Sequence, residues 1–369
     1  MDRLLFDAGP VLGGSLFAAP WRIIRADRFE DVPDAFAQME TARAAGSWLA
    51  GYASYELGYS YSHKLRDLCP EGGAPYLLFG VFDAPEPAPE LVEGPSSFSM
   101  PEPLRSEADY ARAFARLREY IAAGDVYQAN LTFPLTARYK GTAEALYAKL
   151  RARQPAPHGV LVELDGVALL SRSPELFFSL DAERQLKARP MKGTAARGEG
   201  AAEDAAQVHW LRNSVKNRAE NLMIVDLLRN DMSRVSEVGT VRVPHLYSIE
   251  TYDTLHQMTS TVTSRLRDDV GLAELFEGLF PCGSITGAPK IRSMQIIAEL
   301  EQSARGPYCG AIGWVSPEGA MEFNVAIRTI ELMASEEARL NVGGGVVYDS
   351  EAGAEYAEAL LKARYAEIG

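Results

Sequence analysis

Cysteine is scarce in this sequence of 369 residues, which contains three, namely Cys69, Cys282 and Cys309. Their number is odd, they stand far apart, and they form none of the paired spacings that are typical of zinc sites or disulfide frameworks. A structural zinc site and a disulfide-stapled secreted fold are therefore excluded. A reducing cytoplasm is the compartment that this pattern favours.

Long apolar runs are also missing. No stretch approaches the ~18 uninterrupted apolar residues of a transmembrane helix. The beginning of the chain, with Asp2 beside Arg3, lacks the apolar run and cleavage site of a signal peptide. We therefore expect a protein that neither spans a membrane nor is exported.

Positive charge is in deficit, since 37 Lys and Arg residues face 50 Asp and Glu residues and the formal net charge is −13. The resulting field repels phosphate backbones, and no Lys/Arg cluster is long enough to reverse it, so nucleic acid is not expected as a partner. A small anionic substrate would need local positive charge or a bound cation in the same field. A metal ion therefore becomes more plausible.

What is present is an ordinary globular composition, with 47% hydrophobic and 24% charged residues, which allows a substantial core. Residues 83–103 are crowded with Pro, Glu, Ser and Gly and are predicted to form a long loop or linker. We therefore divide the chain into an N-terminal part, residues 1–100, that includes this loop, and a larger region, residues 101–369. The larger region is expected to be one unit of two intimate subdomains.

Local patterns predict both helices and strands. Ser106 and Asp109 resemble a capping box, and the apolar spacing after them predicts a helix that ends at Gly124. Asp165-Gly166 lies between two β-prone runs and predicts a hairpin that continues as a meander through residues 176–180. Helices are also predicted over residues 205–228 and 352–368. The first of these helices would place on one flank Leu211, Val215, Leu222, Val225 and Leu228. The irregular alternation of elements predicts an α+β protein with large antiparallel sheets.

Acidic residues gather on the predicted C-terminal helix, where Glu355 and Glu358 are neighbours on one face and Glu351 is close behind. Taken alone, this pattern is more typical of a solvated acidic face. A hard cation such as Mg²⁺ would turn the repulsion into attraction, with Glu220 as a ligand from a second helix. Lys362, one turn beyond Glu358, would face the same space and meet a substrate carboxylate.

Two glycine-containing stretches are candidates for binding an anion. Gly343, Gly344 and Gly345 follow a strand-like segment and expose backbone N–H groups that suit a carboxylate or phosphate, although a bulge or tight turn is the commoner reason for such a run. The second stretch, GSITGAPK (283–290), lacks the residue order of a P-loop. Nucleotide binding is therefore rejected.

Lys192 lies between a proline-methionine pair and Gly193, at the end of a strand-like segment. A lysine in a surface turn is the commoner explanation of this spacing. As a nucleophile the amine would have to be uncharged, whereas a free lysine with a pKa of about 10.4 is almost wholly protonated at neutral pH. Burial, or a nearby cation such as Arg189 or a metal ion, would have to lower that pKa.

Taken together, these stretches resemble the chorismate-utilising enzymes, a family that includes anthranilate, isochorismate, salicylate and aminodeoxychorismate synthases. Nine matches occur in order over about two-thirds of the chain: GDVYQANLT (124–132), SPELF (173–177), RPMKGT (189–194), RAENLMIVDLLRND (218–231), HQMTSTV (256–262), GSITGAPKIRSMQII (283–297), RGPYCGAIG (305–313), AIRT (326–329) and GGGVVYDSEAGAEYAE (343–358). The N-terminal GYASYELG (51–58) is a less specific match. The resemblance implies the α+β fold of anthranilate synthase component I, in which two large antiparallel sheets form a sandwich flanked by helices.

Two positions distinguish the reactions within this family. Lys192 matches the nucleophilic lysine of aminodeoxychorismate synthases, where anthranilate synthases have alanine, although Met191 replaces the usual isoleucine. Gln128 stands where isochorismate and salicylate synthases have a water-activating lysine. The resemblance therefore implies amination of chorismate at C4 through a covalent lysine adduct. The alternatives are amination at C2 with loss of pyruvate, as in anthranilate synthases, and a non-catalytic binding protein of the same fold.

The resemblance also implies a role for each candidate residue. A Mg²⁺ ion would be held by Glu220, Glu355 and Glu358. Lys192 would be the nucleophile, Glu175 the general acid, and His256 a residue that orients the ring, although a half-buried structural histidine is equally consistent with the sequence. The implied substrate contacts are Arg328 and Tyr308 for the enolpyruvyl carboxylate, together with Thr194, Ser284, Gly343, Gly344, Gly345 and Lys362.

Ammonia is expected to come from another protein. The five histidines and three cysteines form no arrangement suited to glutamine hydrolysis. We therefore expect a separate glutamine amidotransferase subunit, for which free ammonium can substitute in vitro. The sequence given ends soon after Lys362, so a distinct lyase is expected to carry the product on to 4-aminobenzoate.

Overall fold

The computed structural model describes residues 2–70, 73–252 and 255–369, and within them the backbone forms twenty-one strands and ten α-helices. The strands are β1 (Arg3–Phe6), β2 (Ser15–Ala18), β3 (Arg22–Ala26), β4 (Trp48–Ala53), β5 (Leu77–Phe82), β6 (Glu86–Pro87), β7 (Ser97–Phe98), β8 (Glu102–Pro103), β9 (Gln128–Lys140), β10 (His158–Leu164), β11 (Val167–Ser173), β12 (Leu176–Leu180), β13 (Gln185–Arg189), β14 (Met191–Ala196), β15 (Arg242–Thr251), β16 (Leu255–Arg265), β17 (Gly287–Ala288), β18 (Ala311–Val315), β19 (Met321–Val325), β20 (Thr329–Leu332) and β21 (Glu337–Val346). The helices are α1 (Val32–Ala44), α2 (Leu57–Ser60), α3 (His63–Arg66), α4 (Glu107–Ala122), α5 (Ala143–Arg153), α6 (Ala201–Asn213), α7 (Val215–Val235), α8 (Leu272–Leu279), α9 (Lys290–Glu301) and α10 (Ala352–Ala363).

Two antiparallel sheets contain these strands. The first has eleven strands in the order β17-β9-β21-β20-β11-β10-β1-β2-β6, with β7 and β8 also paired to β9. The second has ten strands in the order β14-β16-β13-β12-β19-β18-β4-β5-β3, with β15 also paired to β16. Strands from before residue 100 lie in both sheets, so a boundary at residue 100 does not separate one sheet from the other.

The two sheets pack face to face around a shared core. Leu4 and Val162 of the first sheet and Tyr52 and Ile312 of the second belong to it, and each is at most 1% exposed. Because successive side chains of a strand point to opposite faces, Leu5 instead joins the core beneath α4, α5 and α10. Helices α1, α7 and α8 cover the outer face of the second sheet. The predicted α+β sandwich flanked by helices is confirmed.

Local sequence signals predict several elements well. Ser106 caps α4, because its Oγ accepts a hydrogen bond from Asp109 N at 3.1 Å. Asp165 and Gly166 have φ values of 48° and 79° and join β10 to β11 as a two-residue hairpin turn. In residues 83–103, all of which the structure describes, the only strands are two residues long. The predicted helix, hairpin and loop are thus confirmed.

The single helix predicted over residues 205–228 is wrong. The helical pattern is interrupted at Ser214, whose extended backbone separates α6 from α7 and whose Oγ accepts from Asn217 N at 3.4 Å. A serine in this position favours the start of a new helix. The predicted flank is also interrupted, since Val215 and Leu222 are 83% and 41% exposed whereas its other members are buried.

The described helices also bear on the question of a membrane span. None of the helices within residues 2–70, 73–252 and 255–369 has both the length and the apolar character that crossing a bilayer requires.

Candidate active site

Lys192 lies in an irregular part of β14, at one edge of the second sheet. The register between β14 and β16 shifts between Met191 and Thr194. Gly193 has a φ of 92°, which L side chains rarely adopt, and a Cβ at this position would meet the Asn217 side chain at 3.0 Å. A bulge redirects the side chains that it carries, so the direction of Lys192 depends on the glycine beside it.

Lys192 is half-buried, and charged groups influence its amine. Burial lowers its pKa below the ordinary value; attraction to Glu175 and Glu220 opposes this effect, and repulsion from Lys362 adds to it. Among the residues that the structure describes, no hydrogen bond or ion pair within 4.0 Å engages the amine. The surface turn that the sequence pattern alone favours does not describe this lysine, whose environment promotes loss of the proton.

Glu175 complements this amine, because its environment favours the protonated form. The residue lies between β11 and β12, is 5% exposed, and has an Oε1 atom without a hydrogen-bond partner in the described parts of the chain. Burial raises the pKa of Glu175 to about 7, against the opposing effects of Ser284 and Lys192. At neutral pH a large share of this carboxyl carries a proton, as a general acid requires.

The backbone around Glu175 is held by the end of β19. Val325 N donates to the Glu175 carbonyl at 3.0 Å, and Ser173 Oγ donates to Val325 O at 2.6 Å. Both bonds are buried, and they fix the turn between β11 and β12 from which the carboxyl projects. The position of the acid is therefore set by the second sheet, which also carries Lys192.

Carboxylates from two helices face the same space. Glu220 lies on α7 and is 24% exposed, whereas Glu355 and Glu358 lie on α10, which covers the other sheet. Burial raises the pKa of Glu220, attraction to Lys192 opposes the rise, and repulsion from Glu355 and Glu358 increases it. The three acidic groups therefore influence one another electrostatically. In the structure these carboxylates do not lie close enough together to form a metal-binding cluster. No other group of three or more His, Cys, Asp or Glu residues that could hold a metal ion occurs among the described residues.

Lys362 pairs with one of these carboxylates. Its Nζ lies 2.9 Å from Glu358 Oε1, one helical turn away, as the sequence spacing predicts. Burial would raise the pKa of Glu358, but Lys362 and, more weakly, Lys216 and Lys192 outweigh it, so that the pKa is lowered. Glu358 is consequently more firmly ionised than Glu220.

The glycine run lies within a strand and forms neither a tight turn nor a bulge. β21 continues through Gly343, Gly344 and Gly345, opposite residues 130–132 of β9. Among the described strands, β20 pairs with β21 only as far as Leu340, which leaves one edge of the run uncovered. Lys362 Nζ donates to the Gly343 carbonyl at 2.9 Å on that edge. Since the N–H and C=O of a strand residue point the same way, the Gly343 amide faces the same space.

The absence of a side chain also matters at the middle glycine. A Cβ on Gly344 would lie 3.2 Å from Lys362 Nζ and 3.3 Å from Glu355 Oε2. These distances show that the strand, the lysine and the carboxylate already approach one another closely. A side chain here would displace the ends of Lys362 and Glu355 by a few tenths of an ångström, so glycine leaves the space between them open.

Arg328 is a half-buried cation without an anionic partner in the described ranges. Burial lowers the pKa of its guanidinium, and no described carboxylate lies within 4.0 Å of it. Its backbone has a φ of 51°, and its carbonyl accepts from Arg172 N at 2.9 Å. Tyr365 influences it electrostatically and has a buried hydroxyl that also lacks a partner within the described residues. A charge of this kind is suited to a carboxylate that arrives from outside.

The loop that carries Tyr308 lies beside the Arg328 segment. Cys309 N donates to Ala326 O at 2.9 Å, and Ala326 N donates to Gly310 O at 2.9 Å. Burial raises the pKa of the Tyr308 phenol well above its ordinary value, so the hydroxyl stays protonated and able to donate. The two residues that the sequence assigns to one substrate carboxylate therefore lie on neighbouring segments.

Ser284 and Thr194, two further predicted substrate contacts, differ in their surroundings. Ser284 is 3% exposed, and its Oγ lies 3.2 Å from Cys282 Sγ. Its side chain also lowers the pKa of Glu175 by hydrogen bonding. Thr194 is exposed and donates from Oγ1 to Gln257 Oε1 at 3.0 Å. The structure brings Ser284 to the Glu175 side of the site, whereas Thr194 is engaged with the neighbouring strand.

His256 is engaged on both sides by the protein. It is fully buried, with Nδ1 2.9 Å from Thr251 Oγ1 and Nε2 2.9 Å from Asp204 Oδ1. Within the described ranges no hydrogen bond or ion pair joins it to Lys192 or Glu175. The structure therefore supports an indirect influence of this histidine on the site, through the segment that its two hydrogen bonds hold in place.

A buried ion pair behind the site is not found by sequence reasoning. Lys290 Nζ lies 2.7 Å from Asp231 Oδ2 and donates to Leu279 O at 2.8 Å. The pair joins α7, which carries Glu220, to the stretch that carries Ser284. Lys290 belongs to the GSITGAPK stretch, and its engagement agrees with the rejection of a P-loop. Only the presence of a charged residue in a mostly apolar helix could have indicated the role of Asp231.

Comparison with known protein families gives one match over almost the whole chain. The family described as chorismate binding enzyme matches residues 15–366. Among individual sequences, the chain is 44% identical over 257 residues to aminodeoxychorismate synthase component 1 of Klebsiella aerogenes, a match covering 70% of this chain and 56% of the relative. It is 41% identical over 253 residues to the protein of the same name from Escherichia coli K12, covering 69% of this chain and 55% of that relative.

Other relatives have different names. Anthranilate synthase component 1 of Streptomyces coelicolor is 40% identical over 260 residues, covering 70% of this chain and 50% of the relative. The crystal structure of anthranilate synthase component I from Streptococcus pneumoniae superposes with a TM-score of 0.82 and 25% identity, over 96% of this chain and 91% of that one. In these alignments the chain spans about half the length of the relatives found by sequence.

Proposed function

Since this chain belongs to the family of chorismate binding enzymes, we propose that it aminates chorismate at C4 with ammonia to give 4-amino-4-deoxychorismate. The names of its relatives from Klebsiella aerogenes and Escherichia coli support this reaction. The observation that carries the proposal is the electrostatic influence that Lys192 and Glu175 exert on each other. Burial lowers the pKa of the amine and raises that of the acid, so the pair favours a neutral amine beside a protonated carboxyl.

In the first half of the proposed reaction Lys192 acts as the nucleophile, and Glu175 acts first as an acid and then as a base. The neutral Lys192 amine attacks C2 of the ring, both ring double bonds shift by one position, and the bond from C4 to its hydroxyl breaks. Glu175 protonates the departing hydroxyl, which leaves as water. The positively charged adduct nitrogen then gives up a proton, and Glu175, now ionised, is the nearby group that can accept it.

In the second half ammonia attacks C4, both double bonds shift back, and the bond between C2 and the Lys192 nitrogen breaks. Glu175 returns the proton to the departing lysine nitrogen, and the proton lost by the new C4 ammonium passes back to Glu175, which is again the protonated acid. Atoms and charges then balance as chorismate plus ammonia giving the amino product plus water. A covalent adduct divides one difficult displacement into two easier ones.

We assign the orientation of the substrate to positively charged groups and hydrogen-bond donors, because both bind its carboxylates. Arg328 and Tyr308 would bind the enolpyruvyl carboxylate, because the arginine has no described anionic partner and the phenol remains protonated. The Gly343 amide and Lys362 would bind the ring carboxylate at the uncovered edge of β21. His256 would act on the ring indirectly, by holding β16 and α6 together through Asp204.

Glu220, Glu355 and Glu358 would hold a Mg²⁺ ion in this proposal. A donor set made only of carboxylates suits a hard cation, and the repulsion that helps to raise the pKa of Glu220 is one that a divalent cation relieves. The bound ion would supply positive charge that orients the ring carboxylate and neutralises it. Lys362 already pairs with Glu358 and would add a second positive charge at the same place.

A separate glutamine amidotransferase subunit would supply the ammonia. The thiols of this chain support an external source, because burial raises the pKa of Cys69 to about 11 and the pKa values of Cys282 and Cys309 to about 12. Thiols of this kind are poor nucleophiles at neutral pH. The designation of two relatives as component 1 also supports a partner. A cytoplasmic location belongs to the same proposal and follows from the scarcity of cysteine.

Anthranilate synthesis is the second candidate, because the relatives include an anthranilate synthase at 40% identity. Incubation of the protein with chorismate, Mg²⁺ and ammonium, followed by mass analysis of the product, distinguishes the two reactions. The proposal predicts an amino product that retains the enolpyruvyl group. Anthranilate and free pyruvate would contradict it, and folded protein that leaves chorismate unchanged would favour a non-catalytic binding protein.

A further inference from the structure

A buried ionic cluster lies beneath the candidate site and takes no part in the proposed chemistry. Arg305 is 4% exposed and donates from Nε and Nη2 to the two carboxylate oxygens of Glu301, at 2.9 and 2.7 Å. The guanidinium also stacks on the ring of Tyr55, with Cζ 4.5 Å from the ring centroid. Every face of this arginine is therefore in contact with a described group that stabilises its charge.

The remaining donors of Arg305 bind the backbone of segments that line the site. Nη1 donates to Ile285 O at 2.9 Å, directly after Ser284 in the chain, and Nη2 donates to Asn130 O at 3.1 Å. Glu301 extends the connection to β9, because its Oε1 accepts from Thr132 N at 2.8 Å and from Thr132 Oγ1 at 2.9 Å. One cation thus joins the Ser284 turn to the strand that pairs with the glycine run.

Glu56 holds the same cluster from the N-terminal part of the chain. It is 3% exposed, and its two oxygens accept from Arg305 N at 2.8 Å and from Gly306 N at 3.0 Å. Tyr55 N donates to Gly306 O at 2.9 Å, so both sides of this turn are fixed. The turn leads directly to Tyr308, whose neighbours are bonded to the segment that precedes Arg328.

We propose that Glu56 and Arg305 are positioning residues, which hold the Tyr308 loop, the Ser284 turn and β9 in the relative positions that chorismate binding requires. The inference rests on the proposed function, in which these segments contact chorismate. Neither residue touches the substrate. Their effect is exerted through backbone groups, and Glu56 acts through the two amides that its carboxylate accepts. An amide side chain cannot accept both bonds, since its nitrogen would face one of the two N–H groups.

The decisive comparison is between Glu56→Gln and the wild-type protein, in the presence of Mg²⁺ and ammonium. We expect KM for chorismate to rise about tenfold, as the loss of one buried hydrogen bond implies. The ammonium KM should be unchanged, and kcat should fall by less than about threefold. Glu56→Asp keeps the charge with a shorter reach and should give an intermediate chorismate KM.

A matched control is available at a distance from the site. Glu40 also accepts a backbone bond, in a partly buried position, from Leu272 N at 2.8 Å, and it packs at the start of α8. Glu40→Gln should lower the thermal midpoint without changing the chorismate KM. If Glu56→Gln behaves like this control, with lower stability and an unchanged KM, the positioning role is contradicted.

Two further outcomes are also decisive. If Glu56→Gln does not fold, Glu56→Asp must still raise the chorismate KM by at least about twofold, and a wild-type KM in that variant overturns the inference. If the wild-type protein makes no amino product, the proposed function fails separately. The inference is then tested by calorimetric titration with chorismate and Mg²⁺, in which Glu56→Gln must weaken binding relative to the wild type and Glu40→Gln must not.

Discussion

Two arginines of this chain have opposite surroundings. Arg305 is 4% exposed and is bound to Glu301 through two hydrogen bonds, to two backbone carbonyls and to an aromatic ring. Arg328 is half-buried and has no anionic partner among the described residues, and burial lowers the pKa of its guanidinium. A desolvated charge without a partner costs free energy, whereas a paired one holds structure together. We therefore assign Arg305 to the fold and propose that Arg328 binds a ligand.

The same contrast extends to the other ionisable groups near the site. Glu56 and Glu301 are saturated with donors. Lys192 has no described hydrogen bond or ion pair, and Glu175 has a buried Oε1 without a partner in the described chain. We name the first group, Glu56, Glu301 and Arg305, the paired cluster, and the second group, Lys192, Glu175 and Arg328, the unpaired cluster. We propose that the chemistry belongs to the unpaired cluster, since perturbed groups without partners remain available to a substrate.

The largest effect is expected from Lys192→Ala. Removing the nucleophile should lower the rate of C4 amination on the order of 10³-fold, because the covalent route is then closed. The rate is measured with chorismate, Mg²⁺ and ammonium. Lys187→Ala, which removes an exposed lysine from β13, is the control and should retain the wild-type rate. An undiminished rate in Lys192→Ala would remove this residue from the mechanism.

Glu175→Gln should lower kcat by about 10²- to 10³-fold, because the amide cannot protonate the departing hydroxyl. In the wild type only protonated Glu175 is active as the acid, so kcat/KM should fall as pH rises through about 7. The residual activity of the variant should lack this decline. A wild-type profile that stays flat between pH 6 and about 9 would contradict the assignment of Glu175 as general acid.

The free energy of unfolding provides a second test with the Glu175→Gln variant. The pKa of Glu175 is raised from 4.5 to about 7 on folding, so the neutral acid is favoured in the folded state. The stability that this carboxyl contributes is complete when the pH is below the pKa of Glu175 in the unfolded chain, and it is lost as the pH rises through about 7. Glu175→Gln should therefore gain stability relative to the wild type above pH 7, by roughly 1–3 kcal/mol in urea unfolding. Equal pH dependence in both proteins would contradict the burial of this carboxyl.

The two arginines should respond in opposite ways to substitution by methionine. Arg305→Met leaves Glu301 buried without its partner and should cost roughly 3–5 kcal/mol of unfolding free energy. Arg328→Met removes an unpaired charge, so stability should be unchanged or increased, while the Kd for chorismate rises about tenfold or more. Urea unfolding and calorimetric titration measure the two quantities. Equal losses of stability in Arg305→Met and Arg328→Met would contradict the distinction between the two clusters.

The smallest effect concerns the metal ion. Glu220→Gln should raise the Kd for Mg²⁺ at least about tenfold in calorimetric titration with chorismate present. The control is Glu351→Gln, since Glu351 is exposed at the start of α10. Comparable Mg²⁺ affinity in the two variants would mean that Glu220 is not a ligand.

Sequence reasoning is most successful where the determining contacts are local. The Asp165-Gly166 hairpin, the Ser106 cap and the pairing of Glu358 with Lys362 all depend on residues within one turn of each other. The resemblance to known enzymes selects Lys192 and Glu175, but spacing alone favours a surface turn for the lysine. Burial decides that question, and burial is not visible in sequence.

The contacts that sequence reasoning misses join distant parts of the chain. Glu56 and Arg305 are 249 residues apart and meet because Glu56 follows β4 and Arg305 precedes β18, which pair in the second sheet. The glycine run becomes a strand because it pairs with residues 130–132 of β9, more than 200 positions earlier in the chain. His256 resembles a substrate-facing residue in its motif, yet Asp204 and Thr251 occupy both of its ring nitrogens. No local pattern encodes these partners.

The most direct test is to look for the lysine adduct itself. The protein is incubated with chorismate and Mg²⁺ without ammonia, and its intact mass and proteolytic peptides are measured. We predict a protein whose mass is increased by chorismate less one water, with the modification on the peptide that contains Lys192 and absent from Lys192→Ala. An unmodified Lys192 peptide, in protein that forms the amino product once ammonium is added, would contradict the proposed mechanism.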